Sequence, residues 1–203
     1  MSNNMQNKTV LLILVHPNLH QSTINRALFE GAVEMGGVDI HDLYRVYPDG
    51  VIDVEQEQRL IEQYDTLVFQ HPFYWYSAPS LLKEWFDLVL QYNYAYGPEG
   101  EALKGKKWLS VITTGGSKLA YCQTGHNRFS MRELLTPFDQ TAHLCQMEFL
   151  PPFVLHGARA LGREKEELET QISHYKLVLT ELASEQIKRD SNWRLMNDRW
   201  EQD

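Results

Sequence analysis

Six consecutive apolar residues, Val10-Leu-Leu-Ile-Leu-Val15, run directly into His16-Pro17. A strand with one wet face alternates apolar and polar side chains, so an unbroken β-prone run reads as a strand covered on both faces in a parallel sheet. The run is far short of the roughly 20 residues needed to cross a bilayer. Parallel neighbours need long crossover connections, usually helices, and the rest of the chain supplies them.

Ser22 offers an N-cap, after which Ile24, Leu28, Ala32 and Met35 recur at helical spacing until Gly36-Gly37. Val38 to Leu43 alternates as a second strand, Val54 to Gln63 reads as a polar helix, and Thr66 to Gln70 reads as a third strand. Pro79 suits a first helical turn, and Leu82, Trp85, Phe86 and Val89 then line one helix face before a fourth strand, Trp108 to Thr113. Ser130 to His143 is helix-compatible. Met147 to Leu150 with Phe153 to His156 predicts a fifth strand interrupted by Pro151-Pro152, and Leu168 to Leu182 a long amphipathic helix. This alternation predicts an α/β three-layer sandwich, flavodoxin-like, with a five-stranded parallel sheet of order 2-1-3-4-5. With 203 residues and 43% hydrophobic content, one well-buried domain is expected over 1–189, followed by a polar, solvated C-terminal tail over 190–203 that holds Trp193 and Trp200.

A formal net charge of −8 with only short basic clusters argues against a nucleic-acid surface. Cys122 and Cys145, the only cysteines, lack the spacing of a disulfide framework or zinc site, and Met1 to Lys8 lacks the features of a signal peptide. A reducing, cytoplasmic setting is therefore expected. Phosphate-loop, dinucleotide, nucleophile-elbow and zinc-protease motifs are absent, and no metal site is expected.

The chemistry gathers in three loops that the strand order brings to one crevice. After the first strand, His16, Ser22, Thr23, Ile24 and Asn25 surround a helix N-terminus, which suits a phosphate, although plain N-capping by Ser22 would look similar. After the third, Phe73, Tyr74, Trp75 and Tyr76 follow in succession, enough flat apolar surface for a planar ligand, a subunit interface or core filling. After the fourth, Thr113, Thr114, Gly115 and Gly116 let backbone approach such a ligand closely. The 92–105 connection carries Tyr92, Tyr94 and Tyr96, poorly covered by their own sheet edge.

In these loops, and in Tyr47-Pro48-Asp49, Leu81-Leu82-Lys83-Glu84-Trp85, Ala102 to Lys106 and Leu150-Pro-Pro-Phe153, the chain resembles the flavodoxin-like NAD(P)H:quinone oxidoreductases. Within them it is most similar to the ancillary proteins of bacterial glutathione-regulated potassium-efflux systems, over about residues 8 to 180. The resemblance implies bound FMN, with FAD as the alternative flavin, NADH or NADPH as co-substrate, and a quinone or other small electrophile as acceptor. It implies that His16 and Ser22 to Asn25 hold the phosphate, that Phe73 to Tyr76 and Thr113 to Gly116 hold the ring, and that Tyr121 and His126 stabilise the reduced flavin. It further implies a homodimer in which Tyr94 or Tyr96 walls the partner's substrate pocket. Two-electron hydride transfer by a ping-pong route is the expected activity. The rival reading is a flavin-loaded regulatory subunit of a potassium-efflux transporter, held at the inner membrane through that partner.

Overall fold

The computed structural model describes residues 8–187 and 194–200. In chain order the elements are β1 (Lys8–Leu14), α1 (Thr23–Val33), β2 (Val38–Asp42), α2 (Leu43–Val46), α3 (Val54–Glu62), β3 (Tyr64–Pro72), α4 (Ser80–Val89) and β4 (Lys107–Thr113). There follow α5 (Met131–Leu134), α6 (Thr136–Leu144), β5 (Glu148–Phe149), β6 (Phe153–Leu155), α7 (Ala158–Leu161) and α8 (Lys165–Ala183). All pairings between these strands are parallel, in the order β2-β1-β3-β4-β5, with β6 also on β4. The flavodoxin-like α/β architecture and its strand order are those expected.

The continuous run in β1 is buried on both sides: Leu11 and Ile13 join a core under α2, α3, α4 and α6, while Val10 and Leu12 join a second core under α1 and α8. Two buried polar groups knit these layers. Gln70 on β3 donates to the Asn25 carbonyl of α1 at 2.8 Å and accepts from Tyr175 of α8 at 3.0 Å, fixing α1 against the sheet. Glu57, on the inward face of α3 and 0% exposed, accepts from Tyr47 Oη at 2.6 Å, Trp85 Nε1 at 2.7 Å and His41 Nε2 at 2.8 Å.

Several boundaries differ from expectation for local reasons. β3 runs on through His71-Pro72, because Pro72 occupies its last rung opposite Thr113 and the next donor, Phe73 N, still reaches the Thr113 carbonyl at 2.8 Å. The single helix expected over Ser130 to His143 is two, broken at Leu135, because Pro137 in the first turn of α6 cannot continue the α5 hydrogen bonding. The fifth strand is split, as the proline pair predicts, into β5 and β6. α1 ends at Val33, short of Met35, while the short helices α2 and α7 were not anticipated.

The expectation of a solvated tail is corrected over 194–200. Met196 is buried and its N–H donates to the Pro152 carbonyl at 2.8 Å, while the Asn197 side chain accepts from Val154 N at 2.7 Å. Arg199 makes two bonds to the Glu181 carboxylate, at 2.7 and 2.8 Å, and Trp200 stacks on His174 at 4.0 Å. Apolar burial and unpaired β6 backbone draw this segment in; Trp193 lies outside the described residues. No helix among the described residues is long and apolar enough to cross a membrane.

Candidate functional site

Parallel strands place the loops after β1, β3, β4 and β6 at one edge of the sheet, and two cavities open there on either side of Thr113–Gly116. The first, about 370 Å³, is lined by Gln21, Ser22, Thr23, Ile24, Thr113, Ala158, Arg159, Gly162 and Arg163. Ser22 caps α1 by accepting from Asn25 N at 3.2 Å, which aims the helix N-terminus at this space. Neither Arg159 nor Arg163 has an ion-pair partner among the described residues, in a chain of net charge −8. Unpaired guanidinium groups beside free helix N–H groups attract a phosphate dianion.

His16 and Asn25 stand behind this cavity, not in its wall. Asn25 is 2% exposed and its Nδ2 donates to Thr113 Oγ1 at 2.7 Å, so its amide ties α1 to β4; this corrects the direct phosphate contact expected of that side chain. His16 Nδ1 accepts from Asn18 N at 3.1 Å, which leaves the ring proton on Nε2, and burial holds its pKa below the ordinary histidine value. It is a neutral brace for the turn. The Oδ1 atoms of Asn18 and Asn25 are buried without a partner among the described residues, as befits a loop organised around something further.

The second cavity, about 340 Å³, is lined by Phe73, Trp75, Tyr76, Gly116, Ala120, Tyr121, His126 and Asn127. Tyr121 and His126 both line this cavity, with the Tyr121 ring 6.2 Å from Phe73 and 5.3 Å from His156. Burial raises the Tyr121 pKa, so its hydroxyl keeps its proton at neutral pH. Trp75 and Tyr76 sit at φ 50° and 60°, left-handed conformations that cost a non-glycine residue about 1–2 kcal/mol each, and Trp75 is 93% exposed. An exposed indole held at such a cost marks a surface shaped for a ligand. Tyr74 lies outside this lining and is 43% exposed. A Cβ at Gly115 would meet nothing within 4 Å, whereas one at Gly116 would approach Tyr121 at 3.1 Å, so the first glycine leaves room above the loop and the second lets Tyr121 close on it. Thr114 Oγ1 donates to the Gly116 carbonyl at 2.8 Å and holds the turn.

Three features escaped the sequence reading. His156 comes from the turn after β6, Arg159 from α7 and Arg163 from the turn after α7, and Gly157 at φ 65° turns the chain back toward Thr114. The signal was present as a glycine after a β-prone run, followed by two arginines four apart, Arg159 within α7 and Arg163 in the turn that ends it. Burial, and then Lys118, bring the His156 pKa down to about 4, so this ring is neutral.

Tyr94 and Tyr96 are not brought to this edge. The connection from α4 to β4 lies at the opposite, amino end of the strands, and Tyr94 Oη donates to the Gln58 carbonyl of α3 at 3.1 Å. Ala95 is fully buried, and both tyrosines pack on the core beneath, so their own subunit covers more of them than expected.

Residues 8–179 match the flavodoxin-like fold family. The glutathione-regulated potassium-efflux system ancillary protein KefG of Pectobacterium carotovorum is 47% identical over 152 residues, which is 75% of this chain and 83% of that protein. The crystal structure of general stress protein 14 from Treponema denticola in complex with FMN superposes with a TM-score of 0.80 at 40% identity, covering 86% of this chain and 99% of that one. That of an NADPH-quinone reductase from P. pentosaceus superposes with a TM-score of 0.75 at 32% identity, covering 83% and 95%. With the sheet order, the crevice and a match over most of its length in agreement, the chain belongs to the flavodoxin-like fold family.

Proposed function

We propose that the crevice binds FMN and that the protein is an FMN-dependent NAD(P)H:quinone oxidoreductase. The observation that carries this reading is the meeting of two unlike cavities at Thr113–Gly116, one lined by a helix N-terminus and two arginines, the other by aromatic rings. The single phosphate cavity favours FMN over FAD, and the FMN complex of the Treponema relative supports it. FMN, when bound, would accept one hydride, that is two electrons with a proton, from a reduced nicotinamide and pass those two electrons to a quinone or similar electrophile, which takes up its second proton from solvent.

The chain's own residues orient and protect this exchange. Ser22, Thr23 and Ile24, with Arg159 and Arg163, hold the phosphate; His16 and Asn25 keep that loop in shape. Phe73, Trp75 and Tyr76 flank the ring, with Tyr74 at the rim, while Thr113 to Gly116 support it through backbone. Tyr121 and His126, which line the same cavity, would be placed to donate hydrogen bonds to a bound flavin ring, and the aromatic walls would exclude water. One aromatic cavity would have to serve both substrates in turn, which supports a ping-pong course. Tyr94 and Tyr96, at the amino edge, reach a crevice only across a two-fold contact with a second copy, where they wall the substrate pocket.

The KefG relatives favour a second role, in which the flavin-loaded protein regulates a potassium-efflux transporter from the cytoplasmic side of the inner membrane. The purified protein is expected to be yellow, to release FMN on denaturation, and to give parallel lines in two-substrate initial-rate plots of quinone-dependent NAD(P)H oxidation. A colourless protein that cannot be reconstituted overturns the whole reading, intersecting lines overturn the ping-pong course, and a fully active monomer overturns the two-fold pocket.

A further inference from the structure

A cavity of about 650 Å³ lies behind the ring site, within the range typical of small-molecule sites. One ridge, residues 116–121, separates the two: Gly116, Ala120 and Tyr121 face the ring cavity, while Ser117 and Lys118 face the larger one. Its floor is apolar, from Val154, Leu155 and Leu161. The docked segment 194–200 closes its far side with Leu195, Asn197 and Trp200, residues beyond the 8–179 family match.

We propose that this cavity takes the adenosine half of the nicotinamide co-substrate and that it selects NADH over NADPH. The inference rests on the oxidoreductase reading above: a nicotinamide over the ring must send its remaining half elsewhere, and this cavity adjoins that ring across one short ridge. Lys118 on the ridge stands where the linking diphosphate would cross. The apolar floor and the wall made by Trp200, stacked on His174 at 4.0 Å, suit a purine. On the opposite rim Glu164 and Glu167 present carboxylates, the latter oriented by the Gln171 amide at 2.8 Å. Carboxylates accept hydrogen bonds from ribose hydroxyls and repel a 2′-phosphate, the distinction by which acidic residues choose NADH in other nucleotide sites. Arg159 and Arg163 line the FMN-phosphate cavity, Arg163 also bordering the neighbouring acidic cavity with Glu164 and Glu167, and Lys118 is the one lysine or arginine in the lining of the proposed adenosine cavity.

The test pairs binding with single-turnover flavin reduction in the FMN-loaded protein. By calorimetry, ADP-ribose should bind at least tenfold more tightly than its 2′-phosphorylated form, and Trp200→Ala should weaken ADP-ribose about tenfold. The exposed pair Glu164→Arg with Glu167→Arg, which leaves Trp200 and its packing in place, should move the ratio of kcat/KM for NADH over NADPH by more than tenfold toward NADPH. Reduction by reduced nicotinamide mononucleotide, which lacks the adenylate, should be unchanged in every variant. Absence of ADP-ribose binding, or a nucleotide ratio unmoved by the charge reversal, overturns this proposal while leaving the oxidoreductase reading intact. Failure of all three donors to reduce the flavin removes the oxidoreductase reading, and this proposal with it.

Discussion

Replacing Glu57 tests whether its three donors or its charge holds the α3 side of the core together. The carboxylate is 0% exposed and accepts from Trp85, Tyr47 and His41, the first two themselves 0% and 6% exposed. Glu57→Leu would strand the indole N–H and the phenol in apolar surroundings at about 1–3 kcal/mol each, with a smaller loss at half-buried His41. The expected destabilisation is about 3–5 kcal/mol. In Glu57→Gln the amide oxygen still accepts from Trp85, while Tyr47 and His41 can reverse and accept from the amide nitrogen, so only charge assistance is lost, about 1–2 kcal/mol. Urea titration followed by tryptophan fluorescence measures both, provided the m-value is unchanged.

The pH profile carries the same logic. Burial pushes the Glu57 pKa up, but the bond and charge from His41 and the bonds from Tyr47 and Trp85 outweigh it, leaving the pKa below the ordinary 4.5. The unfolded chain therefore binds this proton more readily, so the stabilisation is complete above about pH 4.5 and is lost as the pH falls through the lower, folded value. Glu57→Gln should flatten that acid limb. A leucine variant as stable as wild type, with the acid limb unaltered, would refute the reasoning: the desolvation cost of the carboxylate would then equal all that its partners return.

Arg159→Ala with Arg163→Ala should weaken FMN binding about tenfold to a hundredfold in a flavin-fluorescence titration while leaving thermal stability near wild type, since neither arginine is paired within the described structure. Trp75→Gly should raise stability to unfolding by about 1 kcal/mol, because glycine takes φ 50° without steric cost, and should at the same time loosen flavin retention; a loss of stability would show that the indole packs against something in the apoprotein.

How far the sequence spoke for itself depended on burial. β1 and α1 were legible because each is packed along its whole length, so apolar spacing had to follow the backbone period. α3 looked merely polar because its inward face spends a position on Glu57, a charge acceptable inside only with Tyr47, Trp85 and His41 converging on it from other elements. Nothing local announces such convergence. The loops after β1, β3 and β4 were legible as a group, but the roles within them were not: Asn25 turns inward to Thr113, a pairing across 88 residues of sequence. α7, at four residues, is too short for periodicity, and with it went Arg159 and Arg163.

The proline pair at 151–152 also bears on how copies of this chain can meet. A sheet edge is a row of unspent donors and acceptors onto which another chain can add a strand, the route by which α/β proteins aggregate when warmed or crowded. Here β5 and β6 are two and three residues long, and the two prolines between them have no N–H to offer. The outward N–H of Val154 and the Pro152 carbonyl are consumed by Asn197 and Met196. The other edge, β2, is five residues long and carries Asp39 and Asp42. Neither margin can template a continuous sheet between molecules, so self-association is confined to loops and helix faces, where it stays finite and leaves the crevice geometry of each copy undisturbed.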